Sequence, residues 1–201
     1  MRSHIVVAGA GIVGLATAYE VARRGYRVTV LDKEDRLAAH QSGRNSGVVH
    51  SGIYNVSGSL KAQLCTAGAQ SIVEFAQTHG VTVRVCGKLV LATTDDEIPV
   101  LEALHRQGIA NGIEVEMLTP AQARVYEPEV RCAAALRVAS AGIIDFPGVC
   151  AALARGIERM GGEVRLGVAV RGLRRLANGM RVTTSQGLLP AHWFIGCCGL
   201  Q

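Results

Sequence analysis

The chain has 201 residues, of which 49% are hydrophobic and 18% charged, with 24 glycines and a formal net charge of +5. That length can bury a core in one domain, or in one domain and part of a second, and the composition is that of an α/β globule rather than a disordered chain. Aromatic residues make up only 4%, too few for a surface that stacks nucleic-acid bases, and no apolar run approaches the roughly 20 residues needed to cross a bilayer.

"HIVVAGAGIVGLATAYEVARRGYRVTVLD" opens the chain. Residues 4–8 read as a buried parallel strand. Residues 12–24 read as a helix, with Val13, Ala16, Thr17, Glu20, Val21 and Arg24 at helical spacing and a stop at Gly25. "YRVTVL" at 26–31 is a second strand, so the segment is a βαβ unit with a parallel pair. "HQSGRNSGVVHSGIYNVSGSL" at 40–60 is dense in Gly and Ser; embedded Arg44, His50 and Tyr54 make it a binding loop rather than a linker.

A helix is expected at 59–79, then paired strands about a turn near Gly87 in 81–93, a helix at 97–112 and a strand at 113–118. "TPAQARVYEP" begins a helix with a Thr cap and Pro at its first position. Strands are expected within 135–146, a helix at 147–160, and strands at 163–171, 180–185 and 191–197, with a hairpin turn at the "ANGM" of 177–180. The densest basic run, "RGLRRL" at 171–176, reads as a solvated strand edge. The six cysteines form no C-x-x-C pair and no zinc spacing, so no metal site is expected and they read as reduced, mostly buried thiols. No export signal heads the sequence, which predicts a cytoplasmic protein whose membrane contact, if any, is peripheral and on the inner face.

The chemistry concentrates in the opening unit. Gly9 permits a tight turn, Gly11 leaves room for a pyrophosphate against the backbone, and Gly14 lets helix pack on strand. The helix start, with Ile12 and Val13, offers unpaired N–H groups and a partial positive charge to phosphates. Asp32, next to Lys33 at the end of the second strand, can accept ribose hydroxyls and would repel a 2′-phosphate. NAD and FAD share this fingerprint. The interrupted layout that follows, with a return to helix and strand at 147–171, favours FAD.

Taken together, "GAGIVGLATAYE", "QSGRNSGVVHSGIY", "GSLKAQLC", "CGKLVLAT", "GIIDF" and "CCGLQ" resemble, in order across nearly the whole chain, the L-2-hydroxyglutarate oxidase/dehydrogenase branch of the FAD-dependent D-amino-acid-oxidase-like superfamily. The resemblance implies an α/β fold: a Rossmann-like FAD-binding domain at 1–83 and 147–201, with an interleaved, incomplete α+β substrate domain segment at 84–146. It implies oxidation of the 2-hydroxy acid L-2-hydroxyglutarate to 2-oxoglutarate, with electrons passed to oxygen or a quinone and no nucleic-acid partner.

By position, Gly9, Gly11, Ile12, Val13 and Gly14 would hold the FAD pyrophosphate, Asp32 and Lys33 the adenosine ribose end, and Val170 the adenine through its backbone. Arg44, Asn45 and Ser46 would line the flavin side, and Gly199 the return of the last strand. His50 would be the catalytic base, since a neutral imidazole can take the substrate hydroxyl proton near pH 7. Tyr54 and Lys61 would help hold the substrate, while Arg84 and Lys88 read as ordinary surface or strand-edge charges.

Two departures stand out. Asn55, Val56 and Ser57 replace an aromatic-Lys-Pro run, and family members are about twice this length, so the chain is expected to be an N-terminal half whose missing part would complete the substrate domain and the flavin contacts. An amine or amino-acid oxidase of the same superfamily and a non-catalytic truncated nucleotide-binding fragment are the alternative readings.

Overall fold

The computed structural model describes residues 3–200; Gln201, which ends the "CCGLQ" motif, lies outside them. In chain order the elements are β1 (His4–Ala8), α1 (Ile12–Arg23), β2 (Arg27–Leu31), β3 (Val48–Val49), α2 (Leu60–Thr78), β4 (Val83–Arg84), β5 (Lys88–Ala92), α3 (Ile98–Ala110), β6 (Val115–Leu118), α4 (Pro120–Tyr126), β7 (Ala134–Val138) and β8 (Gly142–Ile144). There follow α5 (Phe146–Arg159), β9 (Glu163–Arg165), β10 (Val170–Leu176), β11 (Gly179–Thr184), β12 (Gly187–Ala191) and β13 (Trp193–Gly196). They form two compact units, one of residues 1–46 and 145–201, the other of residues 47–144. Strand β3 pairs with β8 and β8 with β4, which ties 48–84 to 142–144 within the second unit.

The first unit is built on a parallel sheet in the order β13-β1-β2-β9. All five residues of β1 and four of the five in β2 are buried, the continuous apolar pattern of a strand covered on both faces. Helix α1 buries Gly14, Leu15, Ala18 and Ala22, so the face turned inward is not the Val13–Ala16–Glu20 row read from spacing; Val13 is 65% exposed. Helix α5 is capped by Asp145, whose carboxylate accepts the Gly148 N–H, and it packs on α1 where a Cβ on Gly156 would lie 2.4 Å from the Tyr19 ring. A three-stranded antiparallel sheet, β10-β11-β12, completes the unit. Its strand β12 was not among the strands expected from the sequence; it lies at the sheet edge, where Pro190 is tolerated. The "RGLRRL" run lies on β10 with Arg171, Arg174 and Arg175 exposed.

The second unit carries two antiparallel sheets, β3-β8-β4 and β5-β7-β6. Here the hairpin expected about Gly87 does not form. Strand β4 pairs with β8 and β5 with β7, so residues 85–87 carry the chain from one sheet to the other. Gly87 instead donates its N–H to Ala141 O at 2.8 Å. The core gathers Ile53, Ala92, Leu101, Ile113, Leu136, Val138 and Ala141. Helix α2 is capped by Ser59 and α4 by a reciprocal capping box between Thr119 and Gln122.

All six cysteines are free thiols, but only Cys150 is buried; Cys65, Cys132 and Cys197 are half-buried and Cys86 and Cys198 exposed. The expectation of mostly buried thiols is corrected accordingly: Cys86 falls in the crossing segment between sheets and Cys198 beyond the last strand. Among the described residues no helix is long and apolar enough to cross a membrane, and no group of His, Cys, Asp and Glu side chains is placed to hold a metal ion.

Candidate functional site

The turn between β1 and α1 is shaped by what surrounds its glycines. Gly9 has φ +112°, and a Cβ there would lie 2.2 Å from the Cys197 carbonyl oxygen; one on Gly14 would lie 1.9 Å from Gly9 O. Both positions are closed by backbone. At Gly11 a Cβ would meet only Ser42 Oγ, at 3.1 Å, so the main chain there is open to a ligand. Ile12 donates its N–H to Ser42 Oγ at 2.9 Å, while the amides of Val13 and Gly14, in the first turn, have no intrahelical acceptor.

Asp32 organises the same turn. Its Oδ2 accepts the Ala10 N–H at 2.6 Å and its Oδ1 accepts the Glu34 N–H at 2.9 Å. A carboxylate oxygen has more than one acceptor site, so both oxygens keep capacity for sugar hydroxyls. Lys33 is exposed beside Glu34, 3.9 Å away, and Glu34 pairs with His40 at 2.9 Å; the His40 hydrogen bond holds the Glu34 carboxyl below the usual range.

Ser42 was not singled out in the sequence reading. It sits in a short 3-10 turn, Gln41–Gly43, which Asn45 Nδ2 braces by donating to Gln41 O and Ser42 O at 3.1 and 2.8 Å. Its signal in the sequence is only a serine among many in a Gly/Ser loop. Arg44 and Ser46 are exposed in that loop. Val170 opens β10 and packs against the cluster of Val6, Leu31 and Val168, and the Val168 N–H donates to Asp32 O at 2.7 Å. Gly199 is exposed beyond β13, with φ +76°. The first unit therefore brings the glycine turn, Asp32, the bracing loop and the start of β10 together around the ends of β1 and β2. An open backbone face, a helix N-terminus and an acceptor with spare capacity fit the diphosphate and ribose of FAD.

The remaining residues of interest belong to the second unit. His50 is exposed, and its carbonyl accepts the Cys65 thiol at 3.4 Å. Ser51 Oγ is buried with no hydrogen-bond partner among the described residues. One side chain of α3 and one at its C-cap pin the loop that follows: Gln107 Nε2 donates to Ile53 O at 2.6 Å, and Asn111 Nδ2 to Asn55 O at 2.9 Å. Neither was foreseen, since both read as polar positions on an amphipathic helix. Tyr54 is 59% exposed. Lys61 is exposed on the first turn of α2, and its carbonyl accepts Asn55 Nδ2 at 3.5 Å, so one residue of the departing "NVS" run links α2 to α3. Lys88 opens the edge strand β5 and is half-buried; its ammonium lies 4.5 Å from the centroid of the Tyr54 ring, and burial pushes its pKa down.

Fold and glycine turn together are those of a dinucleotide-binding protein, and the chain belongs to the FAD dependent oxidoreductase family, which it matches over residues 4–201. It is similar to L-2-hydroxyglutarate dehydrogenase of Escherichia coli K12, with 38% identity over 98% of this chain and 47% of that protein. The mitochondrial L-2-hydroxyglutarate dehydrogenase of Homo sapiens is 40% identical over 84% of this chain and 37% of its own length. Among solved structures, L-alpha-glycerophosphate oxidase from Mycoplasma pneumoniae with FAD bound has a TM-score of 0.86 and 26% identity over 98% of this chain and 52% of that chain. L-proline dehydrogenase from P. horikoshii shares the fold at a TM-score of 0.87 and 22% identity, over 98% of this chain and 52% of that one. The chain spans about half the length of the curated relatives it matches.

Proposed function

We propose that the whole protein oxidises the 2-hydroxy acid L-2-hydroxyglutarate to 2-oxoglutarate with FAD as cofactor. The observation that carries this reading is the 34–40% identity with L-2-hydroxyglutarate dehydrogenases of Indibacter alkaliphilus, Escherichia coli and Homo sapiens over most of this chain. FAD, when bound, supplies the acceptor for the hydride that leaves the substrate's C2 carbon.

The chain's own residues divide the remaining work. The open Gly11 backbone and the amides of Val13 and Gly14 hold the diphosphate at the positive end of α1, with Gly9 and Ile12 fixing the turn. Asp32 accepts the ribose hydroxyls beside Lys33, and the Val170 main chain meets the adenine. Arg44, Asn45 and Ser46 line the flavin side, with Gly199 at the return of the chain. His50 takes the proton from the substrate hydroxyl at a ring nitrogen, and Tyr54 and Lys61 contribute to holding the acid. The roles of Arg44, Asn45, Ser46, His50, Tyr54, Lys61, Val170 and Gly199 are supported by their match to the family's motifs. In the same reading residues 84–146 belong to the substrate domain, oxygen or a quinone reoxidises the flavin, and the protein works in the cytoplasm or on the inner face of the cell membrane.

The test is spectroscopic. Purified protein loaded with FAD should show flavin absorbance that L-2-hydroxyglutarate bleaches under anaerobic conditions, while glycine, sarcosine and proline do not. Bleaching by the amines alone would move the protein to the amino-acid oxidases, and a preparation that stays colourless with added FAD would overturn the cofactor assignment for this chain.

A further inference from the structure

We propose that Lys88 and the ring of Tyr54 form an anchoring site for a carboxylate group, and that this site gives the enzyme its preference for a dicarboxylate over a monocarboxylate 2-hydroxy acid. The proposal rests on the 2-hydroxy-acid reading above and adds a residue to it.

Lys88 opens β5, where its backbone partner on β7 is Val138. The side chain is half-buried, its ammonium stands over the Tyr54 ring, and among the described residues no carboxylate pairs with it. A cationic group drawn partly out of water is normally paired or hydrogen-bonded. An aromatic face attracts it but accepts no hydrogen bond of ordinary strength, so three N–H donors remain available. The second cation–ring pair of this unit differs on that point: Arg137 over Tyr126 faces Glu116 across the sheet, an acid that the register does not give Lys88.

The backbone that carries the ring beneath the ammonium is braced. Gln107 holds the carbonyl of Ile53 and Asn111 those of Gly52 and Asn55, so the backbone on both sides of Tyr54 is tied to α3. A braced backbone under an anion site loses little freedom when the ligand arrives. Tyr54 is exposed enough for a small anion to reach the ammonium from solvent. His50 stands four positions before Tyr54 on the same loop, so the proposed base and the ring under the ammonium share one segment of chain. L-2-Hydroxyglutarate carries a carboxylate beyond its reacting hydroxyl, and a monocarboxylic analogue lacks it.

The experiment compares wild type, K88Q and K88R in two measurements. Calorimetric titration uses glutarate, a dicarboxylate that cannot be oxidised at C2, and butyrate as its monocarboxylate control. Kinetics of the FAD-loaded enzyme use L-2-hydroxyglutarate and L-2-hydroxybutyrate. K88Q should weaken glutarate binding by about tenfold or more and lower the preference for hydroxyglutarate over hydroxybutyrate by a similar factor, the loss of one charge-assisted hydrogen bond; K88R should keep most of both. A purely structural lysine would shift both acids together, and that outcome, or wild type that binds no glutarate, overturns the proposal. On wild type alone, glutarate but not butyrate should protect Lys88 from acylation, a readout that survives if K88Q fails to fold; equal labelling with both also overturns it. If wild type binds glutarate and K88Q does not, yet no 2-hydroxy acid is oxidised, the anchor stands and the reaction assigned above falls.

Discussion

At Gly9 a methyl group would strike the Cys197 carbonyl oxygen and would have to adopt a φ of +112°, whereas at Gly11 it would meet one serine hydroxyl at 3.1 Å. The two alanine variants should therefore separate stability from binding. Gly9→Ala should lose about 1–3 kcal/mol or more, the cost of a strained backbone conformation, read by urea denaturation. Gly11→Ala should keep a near-normal midpoint and lose FAD uptake. Asp32→Ala removes the acceptor of the Ala10 N–H at 2.6 Å and should cost about 1–3 kcal/mol from that unpaired donor, together with flavin affinity. His50→Gln, if the imidazole is the base, should lower kcat by about 10²–10⁴ with flavin colour retained. Thiol chemistry offers a direct check on burial: Cys150, pushed up to about 11 by desolvation and next by Asp145, should stay unlabelled by iodoacetamide in native protein at mildly alkaline pH while exposed Cys86 and Cys198 react.

Among the elements, β1 is tied to its surroundings by histidines. His4 is buried; its Nδ1 donates to Pro190 O and its Nε2 accepts the Thr29 hydroxyl, each at 2.9 Å, while the His4 N–H donates to His192 Nδ1. Burial lowers the His4 pKa below 6.5, with Arg27 and His192 acting the same way and Pro190 O and Glu163 opposing. The unfolded chain thus binds the proton more readily than the fold does. The His4 contribution is complete above its unfolded value and is lost as pH falls through the folded one, so Tm should drop below about pH 6.5 and His4→Gln should flatten that slope. On β10 and β11, Arg174 lies directly opposite Arg181; like charges so placed are unfavourable, and Arg181→Glu should raise stability by about 0.2–1 kcal/mol. Most elements were legible from the sequence because glycine stops, caps and apolar runs agreed over α1, α2, α3, α4 and α5. The exceptions have local causes. The edge strand β12 carries Pro190, a poor strand signal, and the segment at 85–87 looked like a hairpin because partner choice depends on β7 and β8, fifty residues or so away. Ser42 and Lys88 carried no pattern of their own; each matters through a neighbour that only the fold supplies.

For the molecule as a whole, the units at 1–46 with 145–201 and at 47–144 divide the candidate residues: the glycine turn and Asp32 fall in the first, His50, Tyr54 and Lys88 in the second. The return to helix and strand after residue 146 was legible in the sequence; the pairing of β3 was not, because β3 is two residues long and its partner β8 lies far along the chain. Charge is uneven too. No acidic residue follows Glu163, while Arg171, Arg174, Arg175 and Arg181 do. The pairing of β1 with β13 joins Ile5 to Trp193 and places the Cys197 carbonyl against Gly9. During synthesis, then, the opening strand must wait until Trp193 and the residues after it have left the ribosome before its second flank is covered. Nascent chains stalled ahead of residue 193 should be cleaved by protease within the first thirty or so positions, and chains stalled well past 197 should resist, a delay set by distant pairing rather than by local propensity.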